Sequence, residues 1–451
     1  MITIRRRAGE RAVWSTGLGF MSGLRGLGVR SGLRAMACWC GILWLGHPIA
    51  TAQDGPDRGK PAGDLATRDD GVGGDGPGAT IPAKPRLPRD RLLLSHADAD
   101  QGGRTPEQHW RARRETILDG MRLVMGRLPG EEKRCELDVT VIEEVDCGSY
   151  LRQRIHYTSE PGCRTPAYLC IPKWLMRSPG SRARGVLCLH GTDQQTGHGT
   201  VVGIGRPDRQ YAAELAERGF VTIAPSYPLM ANYQPDVLGL GWESGTLKAV
   251  WDNMRALDVL ASRGDVHGDR FAAIGHSLGG HNAVFTAVWD PRIRAVVTSC
   301  GLDSFLDYYD GDENHWMPER GWCQTRYMPK LARYRGRLEQ IPFDFHELIG
   351  ALAPRRVLII APTGDGNFRA DSVDRVATAA RQVFELFGAP DDLRVIHPEI
   401  GHDFPADMRA EAYRFLEASF PDAIPDPDGS PDPDSSPEPD GSFNADGPLN
   451  P

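Results

Sequence analysis

The sequence predicts an α/β protein: a mostly parallel central sheet with helices on both faces and antiparallel strands at its N-terminal edge. Three observations carry this. Between about residues 186 and 419, short β-rich apolar runs alternate with helical stretches. Buried strands each followed by a helix require right-handed crossovers onto a parallel sheet. Ahead of them, three alternating runs (137–145, 152–158 and 167–171) follow one another without helices, as antiparallel strands do. Finally, 40% hydrophobic and 25% charged residues is a globular composition, which excludes collagen, global disorder and a polytopic membrane protein.

A helix is expected over 105–127, where Thr105-Pro106-Glu107 reads as a cap followed by a proline at the first helical position. After the antiparallel runs come strand 186–189, helix 208–218, strand 220–224, helix 244–262, strand 271–274, helix 279–288 and strand 295–299. The alternation breaks at 302–350, an aromatic-rich segment expected to form a lid-like insertion. It then resumes with strand 357–361, helix 373–387, strand 393–396 and helix 409–419.

The ends of the 451-residue chain differ from its body. Arg25, Arg30 and Arg34 precede an apolar run over 35–46 and a small-residue site at Ala50-Thr51-Ala52. That pattern reads as a signal peptide over 1–52 cleaved near Ala52, with Met21 as a second candidate start, and it implies a secreted or periplasmic protein. The run of about 12 residues falls short of the ~20 that span a bilayer. Residues 53–90 hold 8 Gly and 6 Pro and read as a disordered linker; 424–451 reads as a disordered acidic tail rich in Pro and Asp. The catalytic domain is expected over 91–423. The last 31 residues carry 8 Asp/Glu and no Lys or Arg, matching the whole net charge of −8. A neutral body with an acidic tail offers no footprint for nucleic acid. Seven of the nine cysteines lie in the body and show no zinc spacing; Cys135, Cys147, Cys163 and Cys170 are close enough in sequence to pair in an oxidising compartment.

The chemistry centres on Gly275-His-Ser-Leu-Gly279, where a predicted strand runs into G-x-S-x-G and then a helix. A sharp strand-to-helix turn lifts Ser277 Oγ clear of the sheet, and flanking glycines make room for it. A nucleophilic serine needs a base and an acid to orient that base, in the chain order Ser, acid, His. Asp365 lies on the loop after strand 357–361, with Asp371 and Asp374 as competitors; Asp371 is the better candidate to cap the next helix. His402, after a glycine on the loop before the last helix, is the favoured base, whereas His397 is still leaving its strand. The oxyanion would be held by the Leu278 N–H and by backbone at Gly191 and Thr192, where strand 186–189 ends in His190-Gly191. His190, Tyr227, Trp316 and Trp322 are candidates to line the substrate pocket. His276 and His281 flank the nucleophile at a spacing poor for a metal and read as packing groups. No metal or nucleotide motif is visible, and no cofactor is expected.

With these residues in place the chain resembles the α/β-hydrolase superfamily, in its esterase branch around dienelactone hydrolases, acetyl xylan esterases and related exported bacterial hydrolases. The resemblance spans about 105–420 and includes Leu189-His-Gly-Thr192, Gly275-His-Ser-Leu-Gly-Gly-His-Asn282, 361–367 and Gly401-His-Asp-Phe404. It implies a Ser277–His402–Asp365 triad and a carboxylic-ester hydrolase acting through an acyl-enzyme on a small-molecule or carbohydrate ester. Ser277 stands where dienelactone hydrolases proper use cysteine, which counts against lactone opening. The elbow also differs from the Gly-Cys-Ser-Arg of glucuronoyl esterases, which counts against that substrate. The alternatives are a peptidase or amidase with the same triad, although no propeller-length extension precedes the domain, and a non-catalytic binding protein of this fold.

Overall fold

The computed structural model describes residues 103–420; the leader, the 53–90 linker and the tail expected from the sequence lie outside the described residues. Thr105 accepts from the N–H of Gln108, and the Gln108 side chain accepts in return from the N–H of Thr105, so a capping box starts helix α1 (Pro106–Met125). Three long strands follow, β1 (Thr140–Asp146), β2 (Tyr150–Glu160) and β3 (Cys163–Pro172). After the one-turn helix α2 (Trp174–Arg177) the chain alternates: β4 (Ala183–Leu189), α3 (Tyr211–Glu217), β5 (Val221–Pro225), α4 (Gly245–Ala261), β6 (Val266–His276), α5 (Leu278–Trp289) and β7 (Ile293–Ser299). The remainder is α6 (Phe345–Gly350), β8 (Arg356–Ile360), α7 (Ala370–Leu386), β9 (Leu393–Ile396) and α8 (Ala406–Ala418).

The nine strands form one sheet in the order β1-β2-β3-β5-β4-β6-β7-β8-β9. The pairs from β1 through β3 to β5 are antiparallel, and every pair from β5 to β9 is parallel. Alternate residues of the parallel strands (Val186, Cys188, Ile274, Val297 and Ile360) are buried with Tyr211, Leu215, Phe415 and Leu416 of α3 and α8. Their neighbours Leu187, Ala273, Val296 and Ile359 are equally buried on the other face. A sheet covered on both sides explains why its strands read as continuous apolar runs.

The segment 302–350 consists of 3₁₀ turns and the short helix α6. It is anchored rather than loosely laid on the surface. The buried Asp344 carboxylate accepts from Ser304 Oγ and from the Phe305 N–H (2.9 Å). Buried Glu347 pairs with Arg113 of α1, and Ser372 at the start of α7 donates to Asp307 (2.6 Å). The seven cysteines of the body are free thiols, Cys135, Cys147, Cys163 and Cys170 among them. No helix among the described residues is long and apolar enough to cross a membrane.

Candidate active site

At the end of β6 the backbone turns through Ser277 with φ 56° and ψ −124°, outside the regions that L residues populate freely. Strain of this kind is held only where the surroundings over-determine it. Here they do. A Cβ on Gly275 would sit 2.2 Å from the carbonyl carbon of Gly279, and one on Gly279 would sit 1.9 Å from the carbonyl oxygen of Leu189. The Ser277 N–H is fixed on Ser299 O of the neighbouring strand (2.8 Å). α5 starts at once, so Ser277 Oγ stands beside the positive end of its dipole.

The loops that carry Asp365 and His402 leave the adjacent strands β8 and β9 and are laced together. Thr363 and Gly364 donate their N–H groups to Pro398 O and Ile400 O, both at 3.0 Å. Asp365 Oδ1 accepts the N–H groups of Asn367 (2.7 Å) and Phe368 (3.3 Å), which fixes the carboxylate plane. The side chain is 1% exposed against 24% for His402. His402 Nδ1 lies 2.9 and 3.0 Å from the two Asp365 oxygens, and its Nε2 lies 2.9 Å from Ser277 Oγ. A carboxylate only accepts, so the Nδ1 nitrogen carries the proton and Nε2 presents a lone pair to the serine hydroxyl. The competing residues are engaged elsewhere. His397 donates from Nδ1 to Ala361 O (2.7 Å) and meets Asp374 through Nε2 (2.9 Å). Asp371 does not cap α7, whose N-cap is Arg369; it lies within the first turn, where ion pairs with Arg369 and Arg375 hold its carboxyl well below the usual range.

Gly191 lies against Ser277, since a Cβ there would be 3.6 Å from Ser277 Cβ. The Leu278 N–H belongs to the first turn of α5, where helical N–H groups have no intrahelical acceptor. Thr192 Oγ1 meets the hydroxyl of Tyr327 at 3.3 Å, which ties this loop to the inserted segment.

All four residues expected to line the substrate pocket are buried and packed on neighbouring groups. His190 is buried, accepts the Tyr227 N–H at Nε2 (2.9 Å) and donates from Nδ1 to Gly191 O (2.7 Å). Burial pushes its pKa down to about 4, so it braces the Gly191 loop as a neutral ring. Tyr227 is buried with its hydroxyl donated to Arg326 O (2.8 Å). Trp316 is wholly enclosed, edge-on to Phe305 and Tyr308, so it staples the insertion to itself. Trp322 comes nearer: it stacks on His281 (4.3 Å), and Phe368 lies between it and His402, 6.2 and 6.0 Å from the two rings. His276 stacks on Phe404 (5.9 Å) and lies 5.1 Å from the His402 ring; burial holds its pKa far below the ordinary value. Phe368, Tyr327 and Cys300 were not singled out as site residues from the sequence. Their positions after or between strands on the chemistry-bearing side were the available signal. Among the described residues one group of metal-capable atoms gathers, from Cys300, Asp365 and His402, within 4.8 Å of one another. Two of those three already bond to each other.

Comparison with known proteins bears on this geometry. The glucuronoyl esterase from Solibacter usitatus superimposes with a TM-score of 0.60 at 18% identity, covering 74% of this chain and 99% of that one. The chain has the α/β-hydrolase fold. A promiscuous CE15 esterase from a marine bacterial metagenome gives a TM-score of 0.56 at 16% identity over 74% and 97% of the two chains. The family described as "Glucuronyl esterase, fungi" matches residues 236–388, a stretch that includes the elbow and Asp365. In sequence, the Bacillus subtilis protein YtaP, named as a hydrolase, is 33% identical over 168 residues, 37% of this chain and 52% of its own length. A 4-O-methyl-glucuronoyl methylesterase of Phanerochaete carnosa is 23% identical over 201 residues, 40% and 48% of the two lengths. The chain thus spans about half the length of these relatives. These likenesses to glucuronoyl esterases are ones of fold and of part of the sequence, alongside an elbow, Gly275-His-Ser-Leu, that differs from Gly-Cys-Ser-Arg on both sides of the serine.

Proposed function

We propose that this protein is a serine hydrolase that cleaves carboxylic esters on carbohydrate. The observation that supports it is the continuous relay from Ser277 Oγ through His402 to Asp365, with distances of 2.9 Å on both sides of the imidazole. In this reading Ser277 Oγ attacks the ester carbonyl while His402 Nε2 takes its proton, and Asp365 stabilises the imidazolium. The tetrahedral oxyanion faces the Leu278 N–H and the Gly191–Thr192 backbone. His402 then protonates the departing alcohol, and water, activated by the same ring, releases the acid from the acyl-enzyme. The names of the matched relatives support a glucuronate ester, and the sequence resemblance to acetyl xylan esterases supports an acetylated glycan as the other sugar ester. The leader pattern over 1–52 supports action outside the cytoplasm, where such polymers occur.

The test is a panel of p-nitrophenyl acetate, acetylated xylan, benzyl glucuronate and an anilide of matched acyl group, run on wild type and Ser277→Ala. Wild type is expected to cleave at least one sugar ester in preference to the anilide, and the alanine variant none. Faster anilide cleavage, or full activity in the alanine variant, would overturn the reading. Mass spectrometry of the mature N-terminus checks cleavage near Ala52.

A further inference from the structure

One more side chain reaches the acid and base, and the mechanism above does not use it. Cys300 directly follows β7 with φ 48°, a left-handed conformation that L side chains rarely adopt. Its N–H is pinned to Ile360 O at the end of β8 (2.9 Å). The bend sends a thiol that is 2% exposed into the space between the two functional loops. Cys300 Sγ lies 3.5 Å from Asp403 O, next in sequence to His402, within hydrogen-bonding reach for sulfur. It also lies within 4.8 Å of an Asp365 carboxylate oxygen and a His402 ring nitrogen. Glycine would hold this left-handed turn with less strain, so the strained backbone is kept together with a side chain.

We propose that Cys300 is a positioning residue for the acid–base pair, its single S–H shared between the Asp403 carbonyl and the Asp365 carboxylate so that both loops are tied to the end of β7. This rests on the reading of Ser277, His402 and Asp365 as a triad. The thiol serves as a neutral donor: burial, reinforced by the Asp365 charge, holds its pKa well above the ordinary value. A donor to Asp365 draws charge from the carboxylate and so weakens its hold on the imidazolium. Small displacements of a base from its nucleophile are costly, so the bridge acts on rate more than on substrate binding.

Other charged and titratable groups face the pair and remain in every variant. They are His276 behind the His402 ring, Arg209 paired with Asp403 (2.7 Å), Arg206, and Asp303 and Tyr309, both of which feel the Asp365 charge. The test therefore compares Cys300→Ala and Cys300→Ser with wild type. Cys300→Gly, which suits the left-handed turn, serves as a second thiol-free variant should alanine fail to fold. Two quantities are read against pH: the rate of Ser277 labelling by a fluorophosphonate, and the NMR titration of the His402 imidazole. Loss of the thiol is expected to slow labelling about tenfold and to move the His402 midpoint upward, because Asp365 becomes more basic. Serine, which restores a donor, is expected to label within about threefold of wild type with its midpoint unmoved. A thiol-free variant with unchanged rate and midpoint overturns the proposal. So does equal slowing in alanine and serine with the midpoint fixed, which marks a packing role. If wild-type Ser277 is not labelled at all, the hydrolase reading fails, and the His402 midpoint still decides the role of Cys300.

Discussion

Asp365→Asn tests the relay most sharply because the structure dictates which way the new amide must turn. Asp365 Oδ1 accepts two backbone N–H groups, from Asn367 and Phe368, so the amide oxygen must occupy that position. The NH₂ group then falls at the Oδ2 position, 2.9 Å from His402 Nδ1. The amide oxygen stays 3.0 Å from Nδ1, but an NH₂ that only donates, 2.9 Å away, disfavours a proton on Nδ1, so the ring proton is expected to move to Nε2. Nε2–H now faces Ser277 Oγ across 2.9 Å and cannot take its proton. In triads of this kind the wrong tautomer lowers kcat about 10⁴-fold, which is ~5.4 kcal/mol of barrier. The substitution keeps the size of the side chain and its turn, so KM and melting temperature are expected to change little. The assay is p-nitrophenyl acetate hydrolysis at saturating substrate, with a melt of each variant. A variant within tenfold of wild-type kcat would refute the argument, since it would mean that His402 does not depend on Asp365 for its tautomer.

Two further outcomes follow from the same coordinates. Gly279→Ala places a Cβ 1.9 Å from the Leu189 carbonyl oxygen, backbone against backbone, so α5 must leave β4. Circular dichroism is expected to show a melting temperature lowered by at least ~10 °C or no folded protein, whereas an unchanged melt would contradict the close approach. Burial lowers the pKa values of His190 to about 4 and of His281 to about 3, against an ordinary 6.5. In that window the unfolded chain binds protons that the folded chain refuses. Stability is therefore complete above 6.5 and lost as pH falls, by about 2 kcal/mol per such histidine between 6.5 and 5. Urea titrations at pH 7 and 5 measure the loss, and His281→Phe is expected to reduce it by about that amount.

The sequence alone determined most of the architecture, because its signals are local. Buried parallel strands must be continuous apolar runs and their crossover helices must be amphipathic, so β4 to β9 and their helices lie where the alternation put them, with ends differing by a few residues. The capping box at Thr105 and the strand–Gly-x-Ser-x-Gly–helix passage are local as well. Helix α6 escaped that reading because six residues carry too little periodicity; its capping box of Asp344 and Glu347 is local, whereas the Asp344 bonds from Ser304 and Phe305 reach across the chain. What tertiary structure alone decided concerns groups whose role depends on what lies across the fold. Trp316 and Trp322 look alike in an aromatic-rich stretch, yet one is sealed against Phe305 while the other stands one ring from His402. His190 reads as a pocket residue until the Tyr227 N–H, from the loop after β5, claims its free nitrogen. Cys300 carries no motif; it matters because β7 ends between β6 and β8, where Ser277, Asp365 and His402 converge from positions up to 125 residues apart. Local pattern reports how a segment buries its own apolar face; only closure of the sheet reports which polar groups that burial forces together.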